Sequence, residues 1–192
     1  PKQTLKARPS FLQGKKVLGF FGFIAPHKNV EAVLDSLAKL PEEYVAVIAG
    51  GERDKEYVSS LKQRADDLGI SSRIHWEGFI SEERMGMVFS WMDYVILPYT
   101  SVTESGALHL ALGHDKVVLT SRLPAFEEIA KEYACILLFS DTLDLVKQIR
   151  SLKEHPSKEQ TLHKKIDQFT LARNWKTIGQ THVSLYQRVA MR

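Results

Sequence analysis

The 192-residue sequence contains one cysteine, Cys135, which lies in an apolar run. A single cysteine excludes a disulfide scaffold and a cysteine-rich metal site, so we interpret it as a buried structural thiol, compatible with a cytoplasmic protein.

Long hydrophobic runs are also missing. The longest, Val17 to Pro26 and Tyr133 to Phe139, are far shorter than the ~20 residues that span a bilayer. The charged-then-apolar pattern of a secretory signal is not visible at the start.

Charge of one sign is not in large excess. Lys and Arg number 26 and Asp and Glu number 23, which gives a net charge of +3. This balance excludes nucleic acid as the expected partner, mildly favours a phosphorylated ligand, and leaves membrane association open. The seven histidines are scattered without the HExxH spacing, and no cysteine or carboxylate cluster accompanies them, so we expect no metal.

Three common motifs of catalytic and nucleotide-binding proteins are missing as well. The sequence has no GxGxxG dinucleotide fingerprint, no GxxxxGK[ST] phosphate loop and no GxSxG nucleophile elbow. Dehydrogenases, P-loop enzymes and α/β-hydrolases are therefore not expected.

The pattern that is present alternates apolar strands with amphipathic helices at spacings of roughly 20 to 30 residues. Because each strand is almost continuously hydrophobic, we predict an α/β fold with a doubly wound, mostly parallel six-stranded sheet and helices on both faces. Residues 15–192 form this Rossmann-like domain with a helical C-terminal tail, and residues 1–14 are a linker from an upstream domain. The predicted strands are Val17–Ile24, Tyr44–Ala49, Arg73–Trp76, Tyr94–Leu97, Val117–Thr120 and Ile136–Phe139.

Helices are predicted between these strands and after the last one. Asn29 is expected to cap the first, the next ones follow Asp54 and Ser81, and a fourth begins near Glu104. The tail is predicted as three helices, Leu143–Lys153, Lys158–Phe169 and Asn174–Val189.

Ligands of such sheets bind beyond the carboxyl ends of the strands. Glycine is present at three of the five ends, including Gly22 and the pair Gly50-Gly51. The segment from Thr103 to Leu108 places small residues at a predicted helix start, which suits either an anion or a plain helix cap. Lys28 follows the first strand, where it either reaches a phosphate or is solvated.

Several segments, taken in order, resemble the C-terminal domain of family 4 glycosyltransferases. They cover about residues 15 to 190 and include a first strand and loop, a Gly-Gly turn, a third strand and turn, an aDvvvlPY-like strand, a donor loop and a closing helix. The segments are VLGFFGFIAPHKN at 17–29, VIAGG at 47–51, IHWEGFISEE at 74–83, MDYVILPY at 92–99, ESGAL at 104–108, VVLTS at 117–121, FEE at 126–128 and NWKTI at 174–178.

The resemblance implies the donor-binding half of a GT-B fold, a pair of Rossmann-like domains with the active site between them. Such an enzyme transfers a hexose from a nucleotide diphosphate sugar, here to an acceptor held by a missing N-terminal domain. The donor is a substrate, and no cofactor or metal is implied. The expected location is cytoplasmic, with peripheral binding at the inner membrane face left open.

By position, the resemblance implies a catalytic role for Lys28, which binds phosphate. Glu104 is the second catalytic candidate, as the carboxylate that contacts the donor sugar, and a helix cap or a solvated side chain is its alternative role. The remaining candidates bind substrate: a backbone segment for the diphosphate, a nucleobase pocket, and loop residues around them. They are Ser105, Gly106 and Ala107; Glu77, Gly78, Phe79 and Ile80; and Gly22, His27, Gly50 and Gly51.

Departures from the family pattern keep other functions open. Phe23 and Ala25 stand where the resemblance implies a basic partner for Lys28, and Leu112 stands eight residues after Glu104 in place of a second glutamate, with His109 an alternative alignment. The chain is therefore interpreted as a divergent transferase, with a non-catalytic sugar-nucleotide-binding or assembly domain as the alternative. A different nucleotide-sugar enzyme, such as an epimerase, is a third hypothesis.

Overall fold

The computed structural model describes residues 8–173, which form one six-stranded sheet surrounded by helices. All strand pairs are parallel and their order is β3-β2-β1-β4-β5-β6. The predicted Rossmann-like fold is confirmed, with an entirely parallel sheet. The strands are β1 Lys16–Phe21, β2 Tyr44–Ala49, β3 Ile74–Gly78, β4 Tyr94–Leu97, β5 Val117–Ser121 and β6 Ile136–Phe139.

Seven α-helices lie in this part of the chain, and none of them is long and apolar enough to cross a membrane. Parallel crossovers are right-handed, so the reversal of direction at β1 and β4 puts α1 and α2 on one face of the sheet and α4 and α5 on the other. The helices are α1 Glu31–Ala38, α2 Lys55–Asp67, α3 Glu82–Trp91, α4 Gly106–Gly113, α5 Pro124–Tyr133, α6 Thr142–Glu154 and α7 Pro156–Ala172.

The core lies between the sheet and these helices. All six residues of β2 are buried, because helices cover a parallel sheet on both faces. Cys135 is buried as predicted, and burial raises the pKa of its thiol to about 11. A thiol of that kind is held protonated, which agrees with a structural role.

The N-terminal residues predicted as a linker contact the domain. Leu12 is fully buried, and Arg8 donates hydrogen bonds to the Asp93 carboxylate at 2.8 Å and to the Trp91 carbonyl at 2.6 Å. The division of the chain at residue 15 stays a prediction. The last predicted helix, Asn174–Val189, lies outside the described residues.

The prediction that Asn29 caps the first helix is wrong. Residues Pro26–Lys28 form a short 3₁₀ turn, and the backbone N–H of Asn29 closes it by donating to the Pro26 carbonyl at 3.0 Å. Asn29 adopts a left-handed φ of 49°, which a short polar residue tolerates, and Val30 takes the N-cap position of α1. This turn fixes the backbone of Lys28.

Candidate functional site

The loops that carry the candidate residues meet along one edge of the sheet. They follow the carboxyl ends of β3, β2, β1 and β4, which are neighbours in that order. The chain reverses its direction of winding between β1 and β4, and a crevice opens at such a point in a doubly wound sheet. The predicted residues therefore form one row rather than separate clusters.

Three of the predicted glycines allow the strand ends to approach one another. A Cβ atom at Gly50 would lie 1.7 Å from the carbonyl oxygen of Gly22, so only glycine fits there. The N–H of Gly50 donates to the carbonyl of Gly78 at 2.8 Å, and Gly22 and Gly78 have φ values of 133° and 72°. These conformations are accessible to glycine at little cost.

Lys28 is half-buried, and its Nζ lies 3.6 Å from the centroid of the Tyr99 ring. Burial lowers the pKa of Lys28, and it has no carboxylate partner among residues 8–173. The carbonyl of neighbouring His27 accepts a hydrogen bond from the Thr100 N–H at 2.9 Å, which ties this turn to the loop after β4. The side chain of His27 is exposed. Lys28 is thus a positioned cation without an anionic side-chain partner in the described part of the chain.

Tyr99, which was not among the residues predicted for the site, links three of the candidate segments. Only 2% of it is exposed, and its hydroxyl lies near Ser105 and 3.8 Å from the position that a Cβ of Gly22 would take. Burial raises the pKa of this hydroxyl to about 12, and within the described chain it has no hydrogen bond of good geometry. The signal was its place directly after Pro98, the residue that follows the end of β4 at Leu97.

A cleft of about 380 Å³ separates the turn after β1 from the loop after β4. His27 and Lys28 form one wall, and residues 101–104, including Glu104, form the other. Ser105 caps α4 by accepting the Leu108 N–H at 3.2 Å, so Gly106 and Ala107 form the first turn, whose N–H groups lack intrahelical acceptors. A lysine and a carboxylate therefore border one cleft, and the free N–H groups at the start of α4 follow its second wall along the chain.

Glu104 also borders a second cavity, of about 150 Å³, together with His109, Glu128 and Arg173. His109 stacks on Phe169 with ring centroids 5.7 Å apart. Burial and the nearby Arg173 lower the pKa of His109, so it is expected to be neutral near pH 7. A neutral imidazole both donates and accepts hydrogen bonds, as a sugar hydroxyl requires.

An apolar slot of about 140 Å³ lies at the other end of the row, formed by Phe23, Gly51, Phe79 and Ile80 with adjacent backbone. Phe79 and Phe23 are 73% and 49% exposed, which is unusual for phenylalanine. A Cβ at Gly51 would lie 3.3 Å from the Phe23 ring, so glycine keeps the slot open. Its walls suit a planar ring.

Glu77 lies apart from the other candidates for the nucleobase pocket. Its carboxylate is 7% exposed and contacts His75 Nε2 at 2.7 Å and the guanidinium of Arg84. It does not line the slot that contains its neighbours Phe79 and Ile80. The described residues contain no group of three or more His, Cys, Asp or Glu side chains suited to a metal.

Solved structures share this fold. An Anabaena protein, Alr3699/HepE, in complex with UDP and glucose aligns with a TM-score of 0.82 at 20% identity, over 92% of this chain and 49% of that one. The C-terminal domain of the group 1 glycosyl transferase LpcC from Francisella tularensis aligns with a TM-score of 0.74 at 17% identity, over 88% of this chain and 93% of that one. The fold is that of the C-terminal domain of GT-B glycosyltransferases.

Sequence comparisons give the family. A GDP-mannose:glycolipid 4-beta-D-mannosyltransferase from Xanthomonas campestris pv. campestris is 26% identical over 187 residues, which cover 91% of this chain and 50% of that protein. The chain thus spans about half the length of this curated relative. The sequence profile of the family described as "Glycosyl transferases group 1" matches residues 1–169. The chain belongs to the group 1 glycosyl transferase family.

Proposed function

We propose that this chain is the donor-binding domain of a glycosyltransferase that moves a hexosyl group from a nucleoside diphosphate sugar to an acceptor. The acceptor would be bound by an N-terminal domain outside this chain. The observation that carries the proposal is the position of Lys28: a cation without a carboxylate partner in the described chain lines a cleft whose other wall, residues 101–104, ends at Glu104, two residues before α4 begins.

The order of the loops supports one orientation for the donor. The slot between Phe23 and Phe79 would take the nucleobase, and the cleft between Lys28 and residues 101–104 would take the diphosphate. Glu104 would then lie at the sugar, because it borders both the cleft and the adjoining cavity. The Anabaena structure is a complex with UDP and glucose, and the Xanthomonas relative is named for GDP-mannose.

The proposed chemistry is electrostatic. When the bond between the sugar and the diphosphate breaks, negative charge grows on the departing diphosphate. Lys28 and the N–H groups of Gly106 and Ala107 would stabilise that charge, and they are fixed in place before the reaction by the 3₁₀ turn and by α4. We assign no general base to this chain.

Titration calorimetry with UDP, GDP, ADP and their sugar conjugates tests the proposal. We expect one nucleoside diphosphate to bind, and Lys28→Ala to weaken its binding roughly 10- to 100-fold, the loss expected for a charge-assisted contact. Lys39→Ala is the matched control, because Lys39 is exposed at the opposite end of α1. Equal binding by wild type and Lys28→Ala, or no binding by the wild type, would contradict the proposal.

A non-catalytic sugar-nucleotide-binding domain is the second candidate. It is favoured by Leu112, which takes the place of the implied second glutamate and is buried in the core at 1% exposure. A protein that contains both domains distinguishes the two functions. A transferase would transfer or slowly hydrolyse the donor sugar, whereas a binding domain would leave the donor intact.

A further inference from the structure

Arg53, in the loop between β2 and α2, is a second cation on this edge. Its Cζ atom lies 4.3 Å from the centroid of the Phe23 ring. The acidic residues next to it have other partners: Glu52 pairs with Lys62 at 3.8 Å, and Asp54 accepts the N–H of Tyr57 at 2.9 Å. Within residues 8–173, Arg53 has no carboxylate partner.

The backbone places Arg53 beside Phe23, at the side of the aromatic slot. Beyond the ends of β1 and β2, Ile24 pairs with Glu52, and the Ile24 N–H donates to the Gly51 carbonyl at 3.0 Å. This pairing brings Phe23, which forms a wall of the slot, next to Arg53. Phe23 and Lys28 are only five residues apart, so one segment contains both Lys28 and the ring that supports Arg53.

The two cations differ in what they can hold. A guanidinium stacked on an aromatic ring keeps its N–H groups directed outward and binds phosphate oxygens in pairs, whereas a lysine acts as a point charge. A nucleotide with its base in the slot would present its first phosphate on the Phe23 side and its second phosphate on the Lys28 side. The phosphate nearer the base would therefore lie close to Arg53, and the next phosphate would lie close to Lys28.

We propose that Arg53, supported by Phe23, binds the phosphate nearest the nucleoside, while Lys28 binds the next one. This assignment rests on the proposed function and extends it to a residue that the sequence motifs did not indicate. The assignment has a specific consequence. The affinity for a nucleoside monophosphate should depend on Arg53 and hardly at all on Lys28, whereas the affinity for a diphosphate should depend on both residues.

The test measures the affinities of UMP, UDP, GMP, GDP, AMP and ADP for wild type, Arg53→Gln and Lys28→Ala. For the base that binds, Arg53→Gln should weaken both the monophosphate and the diphosphate about tenfold or more. Lys28→Ala should weaken the diphosphate to a similar extent and the monophosphate less than about threefold. Phe23→Leu, which removes the supporting ring, should reproduce part of the Arg53→Gln loss.

Lys55→Gln is the control for the general effect of removing a positive charge, since Lys55 is exposed two residues after Arg53. It should change either affinity by less than about threefold. If Arg53→Gln binds both nucleotides like wild type while Lys28→Ala loses the diphosphate, the assignment is overturned and the proposed function stands. Equal losses in Arg53→Gln and Lys55→Gln would also overturn it. If no nucleotide binds the wild type, both fail.

Discussion

Gly50→Ala is expected to lower the free energy of unfolding by about 3 kcal/mol or more, the upper end of the overpacking range. The new methyl group would lie 1.7 Å from the Gly22 carbonyl oxygen, and that atom belongs to the backbone of a neighbouring strand end, so it cannot rotate away. Relief of the clash requires β1 and β2 to separate where they support the candidate site. Urea denaturation measures the change, and nucleotide titration should show a matching loss of binding.

Gly113→Ala is the matched control, since a Cβ at Gly113 meets no atom within 4 Å and the residue closes α4. That variant should be as stable as the wild type or slightly more stable, because alanine favours helix more than glycine does. Gly50→Ala with wild-type stability and wild-type nucleotide affinity would show that the two strand ends are not packed as described.

Tyr99→Leu is expected to cost about 2–3 kcal/mol of stability and to weaken nucleotide binding. The buried ring packs on Phe126, with centroids 5.9 Å apart, and supports the Lys28 ammonium at 3.6 Å. Leucine leaves a cavity and removes the cation–π contact, so Lys28 loses its fixed position. Chemical denaturation and calorimetry with the bound nucleotide check the two effects separately.

Tyr99→Phe separates the ring from the hydroxyl. The hydroxyl is buried without a good hydrogen bond in the described chain, so its removal should leave stability unchanged or slightly raise it. The phenyl ring still supports Lys28, so affinity should stay close to that of the wild type. A Tyr99→Phe variant as damaged as Tyr99→Leu would mean that the hydroxyl, rather than the ring, organises this edge.

The boundaries of three strands could be predicted from the sequence because they are set locally. β2, β4 and β6 begin and end at the predicted residues, and glycine or proline follows the first two directly. β1 ends at Phe21, three residues before its predicted end, because Gly22 with φ 133° turns the backbone. β3 begins at Ile74, since Arg73 lies in a short turn and donates to the carbonyls of Tyr44 and Pro41.

The candidate site could be predicted only in outline. The position of a loop at the carboxyl edge follows from the strand order, which is why Lys28, Glu104 and the glycines line one row. Side-chain partners do not follow from that order. Glu77 faces His75 and Arg84 rather than the slot, and Arg53 lies over Phe23 through a contact between separate loops.

The most direct test of the central claim is to map nucleotide binding on the backbone amides by NMR. The ¹⁵N-labelled protein is titrated with UDP, with GDP and with ADP, and the amide shifts are followed. The proposed donor site predicts that one of them shifts the amides of Gly51, Phe79, Lys28, Gly106 and Ala107, which span the edge from the aromatic slot to α4. Shifts confined to the opposite edge of the sheet, such as Lys39 and Gly69, or no shifts with any nucleotide, would contradict it.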